Sequence, residues 1–270
     1  MRVMFKSLFS FFKDDGPLHA GSIAYFFLLS FLPFCLLLVA IFGYFLGENK
    51  EFYEFFSARA MRFFPAATAG ISRGLTTVVT YREIGVYSLI VYAYFSYLLY
   101  NSLEAAIHRI FRERTKRAPL LSIVMSFLLV GVIAGFILIS FAATSVIQIL
   151  NWMIGDATGL PVGDLVSFLI RFVIPILLVF VTASVFYALL PVRRIAPGNA
   201  LRGGLFTAVF LEAARHLFTI YVASVATEFG AIYGPLSSFV IFLLWVYYAA
   251  CIFLIGAELV CTRELATRGF

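Results

Sequence analysis

Six long apolar runs, almost free of charge, make up most of this 270-residue chain. About 20 apolar residues suffice to cross the roughly 30 Å hydrocarbon core of a bilayer as a helix. A soluble domain of this length has no interior large enough to hide six such runs. The missing solvent is lipid. Hydrophobic residues are 63% of the chain and charged residues 13%, with a mean hydropathy of +1.01. The expected fold is therefore all-α: a polytopic membrane bundle of six transmembrane helices, in one membrane domain over residues 1–270.

The spans are expected at about 23–46, 84–100, 120–150, 165–190, 200–225 and 236–259. Pro33 lies within the first and removes one backbone hydrogen bond, which predicts a kink. The second carries Tyr87, Tyr92, Tyr94, Tyr97 and Tyr100, some of whose hydroxyls should face the protein interior or the two interfaces. The third run, Leu120–Met153, holds no charge. As a helix it would be about 50 Å long, so it must tilt, bend or project beyond the membrane. Gly131 and Gly135 in it permit close helix contact. Pro161, Pro191, Pro197 and Pro235 punctuate the connections.

Two further segments read as amphipathic. Phe5, Leu8, Phe9 and Phe12 recur at helical spacing near the N-terminus beside Lys6 and Lys13, as in a helix lying in the membrane interface. The segment 47–83 mixes acids and bases, and its Phe52, Phe55, Phe56, Phe63 and Phe64 predict an extracytoplasmic helix on the outer leaflet. Orientation follows from the basic residues. Arg2, Lys6 and Lys13, then Arg109–Arg117, then Arg193, Arg194 and Arg202, then Arg263 and Arg268 all fall on one side of six spans. Both termini are expected in the cytoplasm. The same rule accounts for the net charge of +6, so no nucleic-acid partner is expected and anionic membrane lipid is.

Glu212, Arg215 and His216 form the most informative constellation. Spacings of three and four place them on one face near the middle of the fifth span. Ionisable groups at that depth cost a few kcal/mol each, so they must meet a partner or water. They read either as a polar site within the bundle or as a self-satisfied pair that fixes packing. Arg171, about two turns inside the fourth span, either snorkels outward or joins Arg215 in a cationic ring. At the cytoplasmic ends, Asn101, Glu104 and His108 share a face, and Arg202 and Glu258 lie at the same level. They form either an interfacial ion-pair network with Arg109–Arg117 or a gate. Asp14, Asp15 and His19 are placed to cap the first span.

Enzymatic templates fail. There is no phosphate-binding glycine loop, no H-E-x-x-H and no G-x-S-x-G, and the acids are not clustered for two-metal chemistry. No metal site or cofactor is expected. Cys35, Cys251 and Cys261 stand in apolar runs without a C-x-x-C pair and read as small buried side chains.

Several motifs together resemble the bacterial YihY/BrkB family of inner-membrane proteins. They begin with Ala20-Gly-Ser-Ile-Ala24-Tyr25, Ser30 and Pro33, then Asn101 with Glu104. In the C-terminal half they are Tyr187-x-x-Leu190-Pro191, Pro197, Ala200, Gly203, Tyr221, Tyr233-Gly234-Pro235-Leu236, Trp245 and Gly256-Ala257-Glu258-Leu259. The resemblance covers nearly the whole chain. It implies a six-span multi-pass protein of the bacterial inner membrane. Members have carried the label ribonuclease BN, a tRNA-processing activity for which these residues offer no metal-carboxylate cluster. The family pattern more often has a basic residue near Glu212, so that acid departs from it.

These readings converge on a non-enzymatic transporter or lipid-handling protein whose polar site lies on the fifth span. An envelope-integrity scaffold and a membrane-bound ribonuclease are the rival expectations. A homo-oligomer is compatible with all three.

Overall fold

The computed structural model describes residues 2–46, 81–113 and 173–267. Within them lie six α-helices and no strand: α1 (Arg2–Lys13), α2 (Gly16–Leu46), α3 (Tyr81–Phe111), α4 (Ile174–Leu189), α5 (Pro197–Tyr233) and α6 (Ser237–Thr267). A single 3-10 turn, Gly234–Leu236, joins α5 to α6. The apolar stretches Gly16–Phe34, Pro197–Val225 and Phe239–Thr267 are long and apolar enough to cross a membrane, and Pro175–Leu189 is a shorter apolar helix. α3 is as long as α2 at 31 residues, but its tyrosines lower its apolarity. The expected third run, the segment 47–80 and Arg171 lie outside the described residues.

α6 is the hub. It packs on all five other helices. Its core face is Ala250, Leu254, Ala257 and Val260, all buried and spaced by three or four residues as one helical stripe demands. Leu99, Leu103, Ala106, Ile107 and Ile110 are the matching stripe of α3, and Ala183, Phe186, Tyr187 and Leu190 that of α4. The core therefore gathers at one end of the bundle. There α2 and α5 begin and α3, α4 and α6 end. Ser22 of α2 meets Ser102 of α3, while Phe34 further along α2 meets Tyr92, so the two run antiparallel. α5 and α6 are antiparallel too, with Phe218 packing on Trp245 and Tyr248.

Local sequence shapes this end. Arg112 takes a left-handed φ of 53° just past α3. The Glu113 N–H then donates to the His108 carbonyl and the Arg112 N–H to the Arg109 carbonyl, a Schellman closure that satisfies orphan carbonyls. Asp15, at φ 58°, turns the chain from α1 into α2, and its carbonyl accepts the His19 N–H. The proline at the start of α4 sits in the first turn, where its missing N–H costs nothing. Pro33 lies within a continuous α2. α1 packs on α6, with Ser7 and Phe11 buried and Phe5, Phe9 and Phe12 exposed. These exposed rings, with Lys6 and Lys13, form the face expected for an interfacial helix.

Tyr187 ties three helices together. Its hydroxyl donates to the Phe253 carbonyl of α6 at 2.7 Å and pairs with the Thr207 hydroxyl of α5 at the same distance. Helices approach this ring closely because two contact positions lack a Cβ. A Cβ at Gly203 would strike Val260, and one at Gly256 would strike the Tyr187 and Thr207 hydroxyls.

Tyr187→Phe removes a hydroxyl that satisfies two partners and is expected to cost about 1–3 kcal/mol, seen as a lower thermal midpoint in detergent. Gly256→Ala is expected to cost roughly 1–3 kcal/mol through overpacking. Gly198→Ala, where an added Cβ would meet nothing within 4 Å, should leave the same midpoint unchanged.

Candidate functional site

The described polar groups fall into two sets. The first is a layer of carboxylates at the packed end of the bundle. Glu104 and His108 face each other on α3 at 3.8 Å, and His108 lies 3.5 Å from Glu113. Glu113 also reaches across to the α4–α5 connection. Its two oxygens accept the N–H groups of Val192 at 3.0 Å and Arg193 at 2.8 Å. Glu264, buried on α6, does the same one step further. It accepts the Asn199 side-chain amide at 2.8 Å and the Ala196 N–H at 3.2 Å. Asp15 pairs with Arg109 at 3.3 Å on the surface, so its carboxylate serves α3 rather than capping α2. Glu258 is buried, at 3% exposure.

Of the residues expected to form a cytoplasmic-end cluster, Glu104 and Glu258 both lie in this layer. Asn101 sits half-buried on α3, and Arg202 is exposed on α5. Arg202 makes no ion pair among the described residues. The ion pairs at this end are other than the expected ones: Arg109 pairs with Asp15 and His108 with Glu113, while residues 114–117 of the basic segment lie outside the description. The acids that organise the layer, Glu113 and Glu264, escaped the sequence reading. Glu264 was legible in principle. It continues the Ala257–Val260 stripe at helical spacing, so an acid stands where the pattern demands an apolar residue. Glu113 lies beyond a helix end, and nothing local foretells that it reaches the α4–α5 connection.

The second set is the trio on α5. Arg215 donates to Glu212, and His216 lies 3.3 Å from the same Glu212 oxygen. One acid thus serves two bases, as the spacings of three and four require. The Glu212 side chain is 16% exposed, but those of Arg215 and His216 are 44% and 57% exposed. Among the described residues the trio looks outward from the bundle, not into its core. Arg171, the expected fourth member, lies outside the description. The mutual pairing is also what makes the trio tolerable in an apolar helix, since a lone charge there would carry its full desolvation cost.

Cys251 and Cys261 are free and half-buried, and Cys261 donates weakly to the Ile110 carbonyl. Among the described residues no group of three or more His, Cys, Asp or Glu could hold a metal ion.

Comparison with known proteins places the chain. Residues 8–269 match the family model described as Virulence factor BrkB. A UPF0761 membrane protein of Azotobacter vinelandii is 29% identical over 96% of this chain and 62% of its own length. One of Rhodospirillum centenum is 30% identical over 93% of this chain and 55% of its own. One of Cronobacter sakazakii is 27% identical over 93% of this chain and 84% of its own. The chain thus spans less than two thirds of the first two relatives. No solved structure matches it. With a match reaching from residue 8 to residue 269, and relatives that are membrane proteins by name, the chain belongs to the BrkB family that its motifs resemble.

Proposed function

We propose that this membrane protein translocates or handles anionic lipid in the bacterial inner membrane, crossing it six times with the carboxylate layer on the cytoplasmic side. The observation that carries the reading is the outward, half-exposed Arg215–His216 pair held by Glu212 in the middle of an apolar helix. A guanidinium so placed can receive a phosphate in a two-point contact. Arg202 and His216 stand about four turns apart on nearly the same face of α5, and both are exposed. That ladder gives a headgroup a polar contact at the membrane surface and another at mid-depth, while its acyl chains remain in lipid. Glu212 then acts as the resident counter-ion that the phosphate displaces.

A scaffold without transport is the second reading. It is favoured by the dense seam around Tyr187, where Gly203 and Gly256 let three helices meet with no room for a Cβ. A bundle closed at that end suits a protein that holds partners rather than one that passes a solute through its axis. The two readings differ in outcome, because a lipid path along the outside of α5 needs no axial opening.

Purified protein in proteoliposomes with fluorescent anionic phospholipid is expected to speed leaflet exchange. Arg215→Ala should reduce the rate about tenfold or more, the worth of one charge-assisted phosphate contact. Glu212→Gln should change it as well, and Arg215→Ala, which leaves Glu212 its His216 partner, should retain the wild-type thermal midpoint. Equal rates in protein-free and protein-containing vesicles would overturn the lipid reading in favour of the scaffold.

A further inference from the structure

In the carboxylate layer Glu104 has His108 at 3.8 Å, and one acid has no base so close. Glu113 and Glu264 each accept two donors, and Asp15 has its arginine. Glu258 is 3% exposed, and its Oε1 has no hydrogen-bond partner. The group facing it from the α1–α2 turn is Asp14, another acid, within hydrogen-bonding reach. Two ionised carboxylates in that arrangement would repel each other, and a buried oxygen without a donor would carry its full desolvation cost. Arg112 at the end of α3 is the cation that acts on Glu258. Arg112 and Arg193 both act on Cys261, one turn along α6. Arg263 follows on the same helix.

We propose that Asp14 and Glu258 form a proton-binding site at the inner end of the bundle, with one proton held between the two carboxyls. A shared proton turns the repulsion into a hydrogen bond, the geometry by which paired acids elsewhere hold a single proton. It also leaves the unpartnered Oε1 as the carbonyl oxygen of a neutral acid, which is far cheaper to bury than a carboxylate oxygen. The position matters because the site joins two helices. Asp14 belongs to the turn that follows α1, the helix with exposed phenylalanines, and Glu258 belongs to α6, the hub. Loss of the proton would set two anions against each other at that joint and release α1 from α6, held elsewhere by Ser7 and Thr262. The site is separate from the trio on α5, so its fate does not depend on lipid exchange.

The test is infrared titration of the full chain in lipid nanodiscs, following the carbonyl stretch of protonated carboxylic acids. A band present at neutral pH, absent in Glu258→Gln and lost as pH rises, is expected. Asp14→Asn removes the anionic neighbour and should move the midpoint of that band to lower pH by about one unit or more. Glu258→Gln replaces the acid by a neutral group of the same shape, so it should fold with an unchanged or higher thermal midpoint. Three results would overturn the proposal. One is no Glu258-dependent band between about pH 5 and 8. Another is a midpoint indifferent to Asp14→Asn. The third is displacement of the band by sodium at constant pH, which would assign the pair to a metal cation instead.

Discussion

Lipid offers no hydrogen bonds, and the polar groups of the described helices are arranged around that fact. Backbone groups are satisfied by helices. Side-chain groups that cannot be avoided are either paired on their own helix or moved to one end and spent on tying helices together. Tyr187 shows the second solution most clearly. A phenol at the centre of a three-helix contact finds both a carbonyl and a hydroxyl within 2.7 Å, and the glycines around it bring the backbones close enough for that to happen. Remove the polar contacts and the remaining association would rest on packing alone, since apolar side chains gain little by leaving lipid for protein.

The same economy explains the carboxylate layer. An acid in a soluble protein is commonly solvated and costs little. Here Glu113 and Glu264 take backbone and amide donors from the connection between α4 and α5, which has too few residues to satisfy its own N–H groups in a helix. The acids do for a bent connection what a capping residue does for a helix start. Glu258 lacks such donors, which is why it stands apart chemically from neighbours that look identical in the sequence.

Much of this was legible beforehand, and the divide between what was and was not has a physical basis. Helices, their apolar length and the trio's shared face follow from periodicity, a local property. The family resemblance followed from ordered motifs, and one of them, Gly256-Ala257-Glu258-Leu259, contains both a glycine of the Tyr187 seam and the buried acid. What periodicity cannot convey is which way a face looks. Glu212, Arg215 and His216 were expected to meet a partner or water, and they do pair with one another. Their outward aspect depends on how α5 is rotated against α4 and α6, a matter of long-range packing such as that of Gly203 on Val260. The reach of Glu113 to Val192 and Arg193 spans about 80 residues of sequence. No short-range pattern encodes such a contact.

That reach has a mechanical consequence. Glu113 staples the end of α3 to the α4–α5 connection, and Glu264 staples the end of α6 to the same connection. Both attachments lie at one end of the bundle. Helices fastened together at one end and long enough to cross a membrane behave like the arms of tongs. Small rotations at the fastened end become larger displacements toward the far end, where α5 and α6 stay joined through Gly234–Leu236.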